Sequence, residues 1–317
     1  MRGTGARLHR HRIVSAIRHF IGLEMFEPAV LRHMIARAAE LKRAPDSYHG
    51  ALAGKTLAMI FETPSTRTRI SFDVAMNKLG GRSIALSPGE LQLGRGESIG
   101  DTARVLSRYV DAVLLRTTSH DSLLQLVQHA GVPIINGLTD RTHPCQLMAD
   151  VLTFEEHRGA IAGQRIAWLG DGNNMAATWI QAAAQFGFSL RLACPKAYAP
   201  DSDILDWARA RGADVGVTEN IRDALSGADC VVTDTWISMS DDAGKQKIEA
   251  MRPYQVNEGV MAHAAPDAVF LHCLPAKRGL EVTEAVIEGA HSLVFDEAEN
   301  RLHAQEAILL WCLAGDA

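Results

Sequence analysis

The sequence predicts an α/β protein built from two doubly wound parallel-sheet domains. Short apolar runs alternate with segments of helical periodicity along nearly all of the 317 residues. Continuous apolar strands separated by helices are typical of parallel sheets that are covered on both faces. The chain is also too long for one small core, and at about 150 residues per domain its length favours two domains.

Nine apolar runs are predicted to form strands, four in the first half of the chain and five in the second. They cover residues 56–61, 83–86, 112–116 and 132–136, and then residues 165–169, 189–193, 230–234, 269–273 and 292–295. In two domains of this kind, ligands are expected at the carboxyl ends of the strands, and the cleft between the domains is the expected site.

The helical segment 144–157, which Gly159 closes, is expected to link the two domains. A last helix over residues 298–313 is expected to pack back on the first domain. The predicted first domain therefore comprises residues 1–150 with the C-terminal helix 298–317, and the second comprises residues 151–297.

Composition argues against several classes of protein. A net charge of −5 does not suit a nucleic-acid-binding surface, and no apolar run approaches the roughly 20 residues of a membrane span. The five cysteines form no Cys-x-x-Cys pair, so neither a zinc ribbon nor a disulfide framework is indicated, and a reducing cytoplasm is expected. The first 18 residues hold five arginines and no acid. They are poor in serine and lack an extended apolar stretch, so a frayed extension is favoured over a transit peptide.

The segment Ser65-Thr66-Arg67-Thr68-Arg69 lies between the strand predicted at 56–61 and a helix predicted over 69–79. Unpaired backbone N–H groups and the helix dipole favour an anion at a helix start. Hydroxyl groups and a guanidinium on the same turn add further donors. We interpret the segment as a phosphate site without a glycine-rich loop; the alternative is an ordinary N-cap with two surface arginines.

Further polar residues lie where predicted strands end or where the linking helix begins. Arg116 ends the apolar strand 112–116, where a guanidinium is costly unless it has an anionic ligand or a structural ion pair. His143 and Gln146 flank Pro144, and proline suits the first turn of the linking helix. We expect both side chains near the phosphate site, and an ordinary loop histidine is the alternative for His143.

The segment Asp171-Gly172-Asn173-Asn174 follows the strand predicted at 165–169. Together, Gly170 and Gly172 resemble a dinucleotide-binding turn, but Met175 stands in place of the third glycine and no acidic residue closes the next strand. Adjacent asparagines at a helix start suit the carboxylate or ammonium group of a zwitterion. A dinucleotide-dependent oxidoreductase remains the alternative from a different class of enzyme.

Two more strand ends carry candidate residues. Asp234 precedes a polar loop with Ser238 and Met239 that is long enough to close over a substrate. Cys273 ends the strand predicted at 269–273, where a functional thiol and an inert buried thiol are both open interpretations.

Three motifs, in this order, resemble the carbamoyltransferases: the segment 65–69, His143-Pro144-Cys145-Gln146 and His272-Cys273-Leu274-Pro275. The resemblance covers roughly residues 19–317. The first two motifs are shared across that superfamily and imply binding of carbamoyl phosphate. The third motif, with Asp234, Ser238 and Met239, resembles the ornithine enzymes rather than the aspartate enzymes.

The resemblance implies a carbamoyl phosphate domain and an ornithine domain joined by two linking helices, in a homotrimer or a multiple of trimers with shared active sites. It implies neither a metal nor a cofactor. The residues implied to hold carbamoyl phosphate are Ser65, Thr66, Arg67, Thr68, Gln92, Arg116, His143, Gln146, Cys273, Leu274 and Arg301, with Gln92 reaching the neighbouring subunit's site. The residues implied to hold ornithine are Asn174, Asp234, Ser238 and Met239, and the implied catalytic residues are Arg116, His143 and Cys273.

The implied reaction transfers the carbamoyl group of carbamoyl phosphate to the side-chain amine of L-ornithine, giving L-citrulline and phosphate for arginine biosynthesis. Ser240 stands where the family usually has glycine, and serine resists backbone geometry that glycine allows. Putrescine and acetylornithine are therefore alternative acceptors. A homologue that only binds and regulates would be expected to lack Arg67, Arg116 or Cys273, and all three are present. The motifs do not distinguish citrulline synthesis from its breakdown.

Overall fold

The computed structural model describes residues 17–87, 89, 96–237 and 244–315. Its named strands form two separate sheets, one of four strands and one of five, and every neighbouring pair is parallel. The predicted fold class of two doubly wound parallel-sheet domains is therefore confirmed.

The first sheet has the strand order β2-β1-β3-β4. Its strands are β1 (Thr56–Phe61), β2 (Arg82–Leu86), β3 (Ala112–Arg116) and β4 (Ile134–Leu138). The helices in this part of the chain are α1 (Pro28–Arg43), α2 (Thr66–Lys78), α3 (Ile99–Leu106) and α4 (His120–His129). Because the chain builds outward in both directions from β1, the switch point lies between β1 and β3, where open α/β sheets bind ligands.

The second sheet has the order β7-β6-β5-β8-β9, with its switch point between β5 and β8. Its strands are β5 (Arg165–Leu169), β6 (Ser189–Ala193), β7 (Val215–Thr218), β8 (Cys230–Val232) and β9 (Val269–Leu271). Its helices are α6 (Asn174–Phe186), α7 (Ser202–Ala210), α8 (Ile221–Leu225), α9 (Lys245–Met251), α10 (Glu258–Met261) and α11 (Glu284–Ile287).

Two long helices link the sheets, α5 (Pro144–Arg158) and α12 (Val294–Leu313). Most residues of both helices are buried, and α12 packs along α5, α1 and α2. Alternate residues of each central strand enter different cores: Trp168 of β5 joins the large core that contains both linking helices, while Ala167 joins the core on the opposite face. This two-sided burial explains why the central strands are uninterrupted apolar runs.

One strand prediction was wrong, and another was displaced, because β4 begins and ends two residues later than the predicted strand 132–136. Residues 292–295 form only an isolated bridge from Ser292 to Phe270, after which α12 begins at Val294. The prediction also missed β7, whose sequence Val-Gly-Val-Thr carries little apolar signal because this strand lies at the sheet edge. Two further strands end two residues earlier than predicted, which places Asp234 and Cys273 in the segments just beyond β8 and β9.

Candidate active site

The helix α2 begins at the carboxyl edge of the first sheet, as the motif predicted. Ser65 is its N-cap, with an Oγ that accepts from the Thr68 backbone N–H at 3.3 Å and donates to the Thr68 hydroxyl at 3.0 Å. Thr66 opens the helix and is exposed. Arg67 extends across the cleft, where its Nη2 donates to the Leu274 carbonyl oxygen at 2.5 Å. The helix start thus faces the chain that leaves β9.

Three guanidinium groups converge beside this helix start. Arg116 ends β3, and its buried Nε has no hydrogen-bond partner among the described residues. Burial is the main reason that its pKa falls to about 10, and the charges of Arg301 and Arg67 lower it further. Arg301 is itself buried on α12, where its Nη2 donates to the Thr68 hydroxyl at 2.8 Å. Like charges this close are unfavourable unless an anion joins them, so the cluster has the electrostatics of a phosphate site.

His143 lies directly before α5, beside the same cluster. Its backbone N–H donates to the Thr178 hydroxyl at 2.9 Å, and its buried Nδ1 has no partner within the described chain. Burial, followed by the charges of Arg301 and Arg116, lowers the pKa of His143 well below its usual value. The imidazole is therefore neutral near pH 7, and it can polarise an oxygen without carrying a charge.

Gln146 connects the arginine cluster to two acids that the sequence analysis missed. Its amide oxygen accepts from Arg301 Nη1, while its Nε2 donates to Asp150 Oδ1 and Glu297 Oε1, each at 2.8 Å. Asp150 and Glu297 are each only 1% exposed. Their helical spacing of four residues from Gln146 and Arg301 was the available signal, because such pairs share a helix face.

The second domain contributes a smaller polar group around Asp234. One carboxylate oxygen of Asp234 accepts from Cys273 Sγ at 3.2 Å and from the Thr235 backbone N–H at 2.7 Å. The other accepts from Asn173 Nδ2 at 2.9 Å. Burial, and then the charge of Asp234, raises the pKa of Cys273 well above its usual value. Cys273 is therefore a protonated donor, with no thiolate to act as nucleophile.

Asn173 and Asn174 divide the roles at the start of α6. Asn173 caps the helix, accepting from the backbone N–H groups of Met175 and Ala176. Asn174 lies in the first turn and donates from Nδ2 to the Thr139 carbonyl oxygen at 2.8 Å, which ties α6 to the loop after β4. The predicted residue Asn174 is thus at the boundary between the domains.

The turn at Gly170 and Gly172 is packed against the protein's own chain. A Cβ on Gly172 would lie 2.3 Å from the Pro200 backbone nitrogen, and its N–H donates to the Tyr198 carbonyl at 2.8 Å. A Cβ on Gly170 would lie 3.1 Å from Trp236 Nε1. The glycines therefore serve close packing with neighbouring chain, which leaves them no role in cradling a pyrophosphate.

Donor atoms of Asp234, His272 and Cys273 lie within 4.8 Å of one another. Both ring nitrogens of His272 already have hydrogen-bond partners. Its Nδ1 accepts from the Leu274 backbone N–H at 2.9 Å, and its Nε2 lies 3.3 Å from Glu281 Oε1. These residues fit a hydrogen-bond network better than a metal site. The predicted residues Gln92, Ser238 and Met239 lie outside the described residues, as does Ser240.

The sequence matches two family models over most of its length. Residues 18–156 match "Aspartate/ornithine carbamoyltransferase, carbamoyl-P binding domain", and residues 162–312 match "Aspartate/ornithine carbamoyltransferase, Asp/Orn binding domain". The chain belongs to the aspartate/ornithine carbamoyltransferase family. It is therefore an enzyme of carbamoyl transfer, as the three motifs predicted, and the oxidoreductase alternative is set aside.

Relatives that are 53–55% identical to this chain over most of its length are ornithine carbamoyltransferases. The ornithine carbamoyltransferase of Rhizobium meliloti is 55% identical over 298 residues, which span 93% of this chain and 98% of that relative. That of Brucella suis is 55% identical over 301 residues, spanning 94% and 96%. The solved structure of ornithine carbamoyltransferase from Pyrococcus furiosus superposes with a TM-score of 0.90 at 43% identity, covering 95% of this chain and 98% of that one. Within the described parts of the chain, no helix has the length and apolarity needed to cross a membrane.

Proposed function

We propose that the cleft transfers the carbamoyl group of carbamoyl phosphate to the side-chain amine of L-ornithine, giving L-citrulline and phosphate. One observation carries the proposal: the cluster of Arg67, Arg116 and Arg301 directly adjoins the Asp234–Cys273 pair. The first group suits a phosphate and the second suits a substrate amine. The names of the relatives agree with this choice of substrates.

The phosphate is proposed to bind at the start of α2. Backbone N–H groups there, with Ser65, Thr66 and Thr68, would donate to its oxygens, and Arg67 and Arg116 would neutralise its charge. As the C–O bond to phosphate breaks, negative charge grows on the leaving group. Groups already in place for that charge stabilise the transition state without reorganisation.

The carbamoyl group is proposed to lie between His143, Gln146 and Leu274. Neutral His143, with Thr68 and Arg116, would polarise the carbonyl oxygen. Gln146 and the backbone of Leu274 would orient the carbamoyl NH2, with Cys273 and Arg301 completing the pocket. Catalysis of this kind depends on positioning and electrostatics, because phosphate is already a good leaving group.

Ornithine is proposed to bind against the second domain, through Asn174, Asp234, Ser238 and Met239. A free side-chain amine has a pKa of about 10.4, so it arrives protonated and must lose a proton before attack. Asp234 would receive the ammonium group, which releases its first proton to solvent. The new C–N bond then forms as the C–O bond breaks, and the departing phosphate accepts the second proton from the amine nitrogen.

Release of phosphate from carbamoyl phosphate with each of four acceptors tests this proposal, and citrulline is the expected product with ornithine. Ornithine, putrescine, acetylornithine and aspartate would be supplied separately, each with carbamoyl phosphate. Ornithine should give the highest kcat/KM by a wide margin. A higher kcat/KM for putrescine or acetylornithine would reassign the amine pocket to that acceptor, while turnover of aspartate alone would overturn the assignment of the second domain.

The protein is further proposed to form a homotrimer, with Gln92 reaching a neighbour's site. The strand β2 is a sheet edge, and a hydrogen bond between Ser83 and Asp73 joins it to α2. Near this edge, Ile70 and Val74 of α2 are 57% and 37% exposed, and Ile84 of β2 is 48% exposed. Apolar side chains beside an unpaired strand edge favour contact with another subunit.

The enzyme is further proposed to be cytoplasmic. Its five cysteines are all free, which agrees with a reducing compartment. We retain residues 1–150 with 298–317 as the carbamoyl phosphate domain and residues 151–297 as the ornithine domain.

A further inference from the structure

The Gln146 side chain is fixed at both ends of its amide. Its Nε2 donates to Asp150 Oδ1 and to Glu297 Oε1, both at 2.8 Å, and its Oε1 accepts from Arg301. The side chain is fully buried, so water is not available to replace these partners. With both N–H bonds committed to carboxyl groups, the amide has one favoured orientation.

Glu297 carries this arrangement into the second domain. Its Oε2 accepts the His272 backbone N–H at 2.9 Å, immediately before Cys273. One carboxyl group of α12 therefore receives hydrogen bonds from α5 and from the segment that follows β9. Helix packing alone does not require a carboxyl group at Glu297, because apolar side chains would fill the contact between α5 and α12 without burying charge.

Two carboxyl groups that share a buried site cannot both ionise readily. Burial, and then the charge of Asp150, raises the pKa of Glu297 well above its usual value, and burial raises that of Asp150 to about 7. The pair therefore retains a proton near neutral pH. The remaining negative charge is close to Arg301, which also contributes to the pKa of Asp150.

We propose that Asp150 and Glu297 are positioning residues that hold the Gln146 amide with its oxygen toward Arg301 and the carbamoyl group. The inference rests on the proposed function, because Gln146 is assigned there to carbamoyl phosphate. A flipped amide would point its NH2 at Arg301 and at the carbamoyl NH2, so that donors faced donors. It would also turn its oxygen toward the two carboxyl groups. The acid pair thus selects the orientation that can accept a hydrogen bond from the carbamoyl nitrogen.

Recognition of the carbamoyl nitrogen can be measured by comparing three ligands. Acetyl phosphate has a methyl group in place of the NH2 of carbamoyl phosphate, and inorganic phosphate lacks the acyl group. Their dissociation constants would be measured by calorimetry for the wild type and for Glu297→Gln. The new amide has one oxygen for two donors, so either Gln146 or His272 must face an N–H. Glu306→Gln is the matched control, a buried acid on α12 that instead contacts His303 at 3.0 Å.

Glu297→Gln should reduce the preference for carbamoyl phosphate over acetyl phosphate about tenfold, the effect of roughly one hydrogen bond. Binding of inorganic phosphate should not change, and Glu306→Gln should keep the wild-type preference. Asp150→Asn retains an oxygen that can accept from Gln146, so it should keep most of the preference. Asp150→Leu has no such oxygen and should lose the preference as Glu297→Gln does.

An unchanged preference in folded Glu297→Gln or Asp150→Leu overturns the inference. Equal weakening of all three ligands also overturns it, because that is the result of a purely structural role. Gln146→Met should lose the preference alone, and adding Glu297→Gln should cause no further loss; a further loss would contradict action through Gln146. If Glu297→Gln does not fold, the two Asp150 variants decide the question. A wild type that makes no citrulline would instead remove the proposed function.

Discussion

The guanidinium of Arg67 donates a hydrogen bond to the backbone oxygen of Leu274 across the domain boundary, at 2.5 Å. Arg67 lies on the first turn of α2, and Leu274 follows β9. The bond therefore joins the proposed phosphate site to the segment that carries Cys273. A change in either domain can therefore affect the other through this contact.

Replacing Arg67 with alanine should abolish most activity while the fold persists. Removing one preorganised donor from a developing negative charge typically lowers kcat by about 10²–10³. Steady-state kinetics and inhibition by phosphate would measure the loss, and thermal melting would monitor the fold. Arg69→Ala is the matched control, since Arg69 is exposed on the same helix. Wild-type turnover and phosphate inhibition in Arg67→Ala would contradict the assignment.

Cys273→Ser should weaken the use of ornithine and leave carbamoyl phosphate binding nearly unchanged. The thiol donates to Asp234 at 3.2 Å, and a hydroxyl changes the length and strength of that bond within the proposed amine pocket. The KM for ornithine would be compared with the affinity for carbamoyl phosphate. Cys230→Ser is the control: Cys230 is fully buried in β8, so serine should lower the melting temperature instead. The same pattern in both variants would show that Cys273 is merely structural.

His143→Gln should lower kcat without moving the pH dependence of the reaction. Burial and nearby arginine charges lower the pKa of His143 well below its usual value. The imidazole is therefore already neutral at pH 7 and above, where glutamine is also neutral. Rate profiles of kcat for the two proteins should run parallel. An acidic limb near pH 6.5 in the wild type that disappears in the variant would show that His143 titrates during turnover.

Asp150→Asn should become more stable relative to the wild type as the pH rises from about 4 to 7. Burial raises the pKa of Asp150 from 3.8 to about 7, with smaller contributions from Gln146, Glu297, Arg301 and Asp234. The folded state thus binds a proton that the unfolded state has released, and the associated stability is lost as the pH rises through 7. Asparagine has no proton to lose.

Urea unfolding at several pH values would measure this difference. Asp267→Asn is the control: hydrogen bonding to Arg158 lowers the pKa of this exposed aspartate, so its titration lies at more acidic pH. A constant difference between Asp150→Asn and the wild type across the range would contradict the prediction.

Ile84→Lys should disrupt the proposed trimer. The substitution places a charge on the edge strand β2, where Ile84 is 48% exposed. Sedimentation velocity should report smaller particles than for the wild type. Leu124→Lys alters an equally exposed residue on α4, 47% exposed, and should not change the assembly. An unchanged particle size in Ile84→Lys would place the subunit contact elsewhere.

Most of the fold follows from local pattern. Buried parallel strands such as β1, β3 and β5 were predicted to the residue, because their unbroken apolar sequences reflect burial on both faces. The sequence analysis missed the edge strand β7 because this strand buries less surface and contains a glycine and a threonine. Residues 292–295 were wrongly predicted as a strand because a short apolar run is typical both of a strand and of the start of a buried helix.

The candidate site was predictable where it depends on strand ends and helix starts. Ser65, Arg67, Arg116 and His143 all lie at such places, and the parallel topology brings those places together. Asp150 and Glu297 were missed because they act through contacts between α5 and α12, which are distant in sequence. The two acids are 147 positions apart, and the Gln146–Glu297 hydrogen bond joins residues 151 positions apart. The spacing of four residues places Asp150 on the helix face of Gln146, and Glu297 on that of Arg301, but it does not show which acid of one helix contacts the glutamine of another.

The path of α12 has a consequence for synthesis of the protein. This helix starts beside β9, where the Leu293 N–H bonds to the Phe270 carbonyl. It packs along α1 and ends where Trp311 contacts the ring of Phe26, just before α1 begins. The ribosome delivers the chain from its N-terminus, so both sheets emerge before Arg301 does. Before α12 is made, the first domain therefore lacks the apolar residues that this helix adds to its core. It also lacks Arg301, one of the three arginines of the cluster. Capacity to bind substrate should appear only when the last helix has been translated and has folded back.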